Sequence, residues 1–157
     1  MHPTKNDLAD NTRSAAITLM QARLADAIDL MTQTKQAHWN VKGANFIALH
    51  ELFDRIHGEM DDHVDTIAER LVALGGQAYG TVRSAAKHST LPEYPLDITD
   101  GPAHVDALST ALAAFSKSVR VAIDDAAEFG DQDTSDVFTG ISRAIDKALW
   151  FVESHRA

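Results

Sequence analysis

Four long stretches of this chain repeat apolar residues at steps of three and four, and the first three stop at turns built on glycine or asparagine. That period belongs to a helix with one buried face. In the first stretch Ile17, Met20, Leu24, Ile28 and Met31 form the stripe, which predicts a helix over about residues 14–39, ended by Asn40-Val41-Lys42-Gly43. The second stripe, Leu49, Phe53, Ile56, Met60, Ile67, Leu71 and Leu74, predicts a helix over about residues 45–74, stopped by Gly75-Gly76. Val105, Leu108, Leu112, Phe115, Val119 and Ile123 follow Pro102, a residue favoured in a first helical turn, and Phe129-Gly130 closes that helix. Val137, Ile141, Ile145, Leu149 and Val152 mark the last, from about residue 133 to 155, with Asp133, Thr134 and Ser135 as N-cap candidates. Residues 77–98 are a long connection with room for one short helix over 81–88. No stretch has the alternating pattern of a strand. The expected fold is all-α: a four-helix bundle with a long crossover, carrying a short extra helix, between its second and third long helices.

The chain has 157 residues, 45% of them hydrophobic, enough for one core. A short N-terminal tail over residues 1–13 and a single bundle domain over 14–157 are expected. No run approaches the length of apolar sequence that spans a bilayer, and the N-terminus lacks the apolar segment of a secretion signal. There is no cysteine, which excludes disulfides and thiolate chemistry and fits a cytoplasmic protein. The net charge of −9 disfavours phosphate backbones as partners.

Phosphate-binding loops and nucleophile elbows are absent, as is the Glu-x-x-His pair of many di-iron bundles. The chemistry sits on the second helix. With His50 at zero and 100° per residue, Asp54 falls at about 40°, Asp65 at about 60° and Glu69 at about 100°. The apolar stripe centres about 140° away from this ligand stripe, which therefore faces out of the bundle. The midpoints of His50/Asp54 and Asp65/Glu69 lie about 22 Å apart along the axis, too far for one ion on one helix. Two antiparallel copies bring them together: position 52 of one faces position 67 of the other, and two equivalent sites form about a two-fold axis near position 59.5. Gly58 lies beside that axis, where a missing side chain lets two backbones approach. His38, on the first helix, is placed to lean towards His50. The alternative for this set is a polar dimer interface of hydrogen-bonded pairs.

The stretches Lys35-Gln-Ala-His38-Trp39-Asn40-x-x-Gly43, Phe46-x-x-Leu49-His50-x-x-x-Asp54 and Asp65-x-x-Ala68-Glu69-Arg70 resemble the signature of the Dps family of mini-ferritins. The similarity extends to Tyr94-Pro95-Leu96-Asp97-Ile98 and to Asp146-Lys147-x-Leu149-Trp150-Phe151. The resemblance implies a ferritin-like bundle assembled as a hollow homo-dodecamer from two-fold dimers. It implies Fe(II) oxidation with hydrogen peroxide, or dioxygen, at dinuclear sites between subunits, and storage of ferric mineral. It also implies that His38, His50 and Asp54 come from one subunit and Asp65 and Glu69 from the other, with Trp39 quenching stray one-electron oxidants.

Other residues have two readings each. His57 and Asp61 lie at about −20° and 20°, beside the inferred axis, and read as a water-bridged or hydrogen-bonded pair. His63 reads as structural. Asp131, Asp133 and Asp136 are placed to cap the last helix, and the resemblance implies an acidic three-fold pore that they line as well. Glu51 and Glu59 are cavity nucleation groups or ordinary solvated acids, and Trp150 and Phe151 read as core. In the resembling family some members bind DNA through a lysine-rich tail, but here the tail offsets Lys5 and Arg13 with Asp7 and Asp10. DNA binding is expected to be weak or absent, with no membrane partner. Nucleoid condensation with a minor iron role, and a structural dimer holding zinc or manganese, are the competing functions.

Overall fold

The computed structural model describes residues 1–156 and contains five helices: α1 (Asp10–Asn40), α2 (Phe46–Ala73), α3 (Val82–His88), α4 (Gly101–Glu128) and α5 (Gln132–Glu153). α1 packs along α2 and α4 along α5, so two helical hairpins make the bundle and the crossover with α3 joins them. The core holds Met20, Leu24, Phe53, Ile56, Met60, Phe115 and Phe138, all at 0–1% exposure. This is the all-α bundle with a crossover helix that the apolar stripes predict.

Two boundaries differ from the sequence reading. α1 starts at Asp10, about one turn before residue 14, because Arg13 is buried and carries the early turn inward. Its guanidinium donates to the carbonyls of Leu8 and Leu74, both at 3.3 Å, and pairs with Asp10. The N-cap of α5 is Asp131, not a residue of the 133–135 trio; its carboxylate accepts from the Thr134 N–H at 3.1 Å. Asp131 wins because Arg70 of α2 also pairs with it, at 2.7 Å.

The polar residues on the buried side of α1 hold the crossover. Asp26, fully buried, accepts from the Thr90 N–H at 2.7 Å and pairs with Arg23 at 2.9 Å. Asp29 accepts from the Ser89 hydroxyl at 2.6 Å, and the Gln33 amide donates to the Pro92 carbonyl at 3.0 Å. Further along, the Tyr94 hydroxyl and His104 Nδ1 meet at 2.6 Å inside the protein. The crossover is thus bonded to the bundle at several points, since a buried backbone needs partners for its polar groups.

The turn between α1 and α2 fixes the start of the site. Gly43 takes φ +112°, a left-handed conformation that side chains disfavour. The Lys42 N–H donates to the Thr99 carbonyl at 2.8 Å, which ties the turn to the end of the crossover. No helix among the described residues is long and apolar enough to cross a membrane.

Candidate metal centre

His38 lies in the last turn of α1 and His50 in the first turn and a half of α2, on opposite sides of that turn. Their rings stack with centroids 3.7 Å apart. His38 Nδ1 lies 2.8 Å from the His50 carbonyl, and His50 Nδ1 lies 2.8 Å from the His38 carbonyl. A carbonyl only accepts, so each Nδ1 carries the proton and donates it. Each Nε2 is left with a free lone pair. This is the tautomer a metal ligand needs, and the carbonyl behind each ring holds its orientation.

Asp54, one turn beyond His50, completes the group on this chain. Its carboxylate is half exposed and lies 3.9 Å from His38 Nδ1. The Lys35 ammonium pairs with it. That hydrogen bond, more than any other influence, holds the Asp54 carboxyl below its ordinary value, with the nearby His38 adding to the effect. His38, Ile47, His50, Glu51, Asp54 and Arg55 line one open groove. Trp39, next to His38 in the sequence, is 67% exposed.

Asp65 and Glu69 are exposed further along α2. Among the described residues no three of His, Asp and Glu converge as a metal site within the chain. The fold brings His38, His50 and Asp54 to one groove and leaves Asp65 and Glu69 apart, as the axial spacing requires for a single helix. Gly58, between the two halves, is exposed, with open space where a side chain would sit.

The remaining candidates separate. His57 does not bond Asp61; its Nδ1 lies 3.0 Å from the Met31 carbonyl on α1, which replaces the direct pair the spacing allowed. His63 is half buried, and burial lowers its pKa. Asp131 is 1% exposed and occupied by Arg70 and Thr134, so it is removed from any pore lining, while Asp133 and Asp136 are exposed. Glu51 and Glu59 are both exposed, and Glu59 lies 3.6 Å from Arg55. Trp150 is 63% exposed and not core, because α5 turns Phe138, Ile141, Ile145, Ala148 and Val152 inward instead. Phe151, partly buried, lies under the Arg55 guanidinium at 4.7 Å.

Sequence reasoning missed Lys35 as a neighbour of the site. Its position one turn before His38, on the same helix face, was the available signal.

The Ferritin family, described as a ferritin-like domain, matches residues 17–157. The chain is 48% identical over 154 residues to the DNA protection during starvation protein of Agrobacterium fabrum (strain C58), covering 98% of this chain and 95% of that one. Its fold matches Dps from Microbacterium arborescens in the high iron form, with a TM-score of 0.87 and 33% identity over 94% of this chain and 95% of that one. It also matches DpsC from Streptomyces coelicolor, with a TM-score of 0.93 and 31% identity over 100% of this chain and 91% of that one. With the bundle, the crossover helix and near full-length likeness in agreement, the chain belongs to the Dps family of ferritin-like proteins.

Proposed function

We propose that this chain is a ferroxidase and iron-storage protein that protects the cell and its DNA from oxidative damage. Twelve copies, built from two-fold dimers, form a cytoplasmic cage that stores ferric mineral. His38, His50 and Asp54 of one subunit and Asp65 and Glu69 of its neighbour together take two Fe(II) ions as substrate. The observation that carries this reading is the reciprocal Nδ1 bonding of His38 and His50, which leaves both Nε2 lone pairs free on rings that line one groove with Asp54. Mixed imidazole and carboxylate ligands suit Fe(II).

The electron count needs both ions. Each Fe(II) gives one electron to hydrogen peroxide, the O–O bond breaks, and two protons complete two waters. A pair of one-electron donors avoids releasing hydroxyl radical. Dioxygen is the alternative oxidant. Trp39 is placed to intercept stray one-electron oxidants, being exposed beside His38. Asp133 and Asp136 are the acids left to draw Fe(II) through a three-fold pore, and Glu51 is a candidate nucleation group.

Protection of DNA then comes from removing iron and peroxide together, with weak direct contact. A dodecamer multiplies the chain's −9 charge twelvefold, and polyanions repel. The experiment is anaerobic Fe(II) loading followed by peroxide, with ferric absorbance followed in the native protein and in Asp65→Ala/Glu69→Ala. Rapid oxidation near two Fe(II) per peroxide, lost in the variant, is expected. Equal, buffer-like rates in both would overturn the reading.

A further inference from the structure

His57 repeats the arrangement seen at His38 and His50. Its Nδ1 donates to a carbonyl of the facing helix, Met31, at 3.0 Å. His88 and His155 bond only carbonyls four residues back on their own helices, which any helical histidine can do. His57 is instead oriented by the packing of α1 on α2. Its Nε2 keeps a free lone pair directed away from α1. One turn further on, Asp61 is exposed on the same side of α2. Asp54, one turn earlier on α2, is held by Lys35, which leaves Asp61 as the open carboxylate beside His57.

We propose that His57 and Asp61 of two subunits form a further divalent-metal site on the dimer axis, distinct from the two oxidation sites. The inference rests on the dimer of the preceding section and on its register. Three ligand pairs spaced four residues apart lie along α2: His50/Asp54, His57/Asp61 and Asp65/Glu69. Their midpoints are positions 52, 59 and 67. The register that sets 52 against 67 sets 59 against 60. The central pair therefore meets its own copy, offset by about 1.5 Å along the helix. A histidine and an aspartate one turn apart chelate one ion, and two such chelates facing each other make a four-coordinate site of two nitrogens and two oxygens. Gly58 lies between the ligands with open space around it, which lets the helices close to bonding distance. Imidazole and carboxylate in a tetrahedral set suit Zn(II), and Co(II) as its spectroscopic substitute.

The test is Co(II) titration of the metal-free assembled protein, followed by visible absorbance, in the native chain and in His57→Ala. The expected result is a loss of one Co(II) per two subunits in His57→Ala, together with a tetrahedral absorption band. Peroxide-driven Fe(II) oxidation is expected to stay unchanged in that variant. Asp61→Asn, which keeps the size of the side chain, is expected to weaken the same ion at least tenfold. An unchanged Co(II) count in both variants overturns the proposal. Sedimentation of the same samples separates the causes: a stable monomer overturns the dimer and this site together, whereas an assembled protein with no axial Co(II) overturns this site alone.

Discussion

His38 and His50 hold each other through main-chain atoms: each Nδ1 donates to the other residue's carbonyl at 2.8 Å, and the rings stack at 3.7 Å. The turn between α1 and α2 is what makes this reciprocal bonding geometrically possible. Removing one ring therefore leaves the hydrogen bond of the other intact.

That asymmetry gives a first prediction. His38→Ala keeps His50 oriented, because the acceptor for His50 is the backbone of residue 38. Fe(II) oxidation is expected to fall at least tenfold, while one tightly bound Co(II) per site persists in titration. Stability is expected to change by about 1 kcal/mol or less, the scale of a lost aromatic contact. Thermal unfolding and metal titration check the two parts separately.

In the proposed site, Lys35 competes with metal for Asp54. Its ammonium must leave the carboxylate before an ion takes that place. Lys35→Met is expected to tighten Fe(II) or Co(II) binding about three- to tenfold, a modest change because the pair is partly exposed. Asp54 then loses the partner that keeps it ionised, so the low-pH limit of metal binding is expected to move upward. Weaker binding in Lys35→Met would show instead that the lysine's role is to position Asp54.

Asp131 and Asp133 lie two residues apart with opposite expectations. Asp131→Ala removes the α5 cap and the nearest carboxylate partner of the largely buried Arg70, leaving it only the Thr134 hydroxyl and the longer 3.8 Å approach of exposed Asp133. Breaking such a pair costs about 3 kcal/mol or more, and a clear fall in Tm is expected. Asp133→Ala, at 86% side-chain exposure, is expected to leave Tm nearly unchanged and to slow iron uptake at low ionic strength.

His104 and His63 predict an acid-sensitive fold. Burial lowers both pKa values below 6.5. The unfolded chain therefore binds protons at these residues before the folded chain does, so stability is full above pH 6.5 and declines as pH falls towards the folded values. His104→Gln is expected to flatten the part of this decline that His104 causes. Unfolding midpoints measured at pH 7.5 and at about pH 5.5, for the native chain and the variant, compare the slopes.

The long helices and their breaks were legible because burial of one face writes its period into the sequence. The four proposed ligands on α2 were legible for a related reason: their spacing excludes one site on one helix and admits two sites between antiparallel copies. Contacts between distant segments were not legible. Arg13 extends α1 by reaching the Leu74 carbonyl, and Asp131 is chosen as a cap by Arg70, yet local sequence shows neither. Trp150 misled because bulk and apolarity say nothing about which way α5 is rotated. Lys35 was overlooked because its partner, Asp54, lies on the other side of the turn.

The split ligand set has a consequence for the newly made chain. A lone subunit presents a groove with two histidines and one aspartate, and Asp65 and Glu69 do not line it. On the proposed assembly, such a chain is catalytically silent until it meets a copy of itself. Oxidation is then licensed by pairing, and insoluble ferric product is made only where subunits have already come together to hold it.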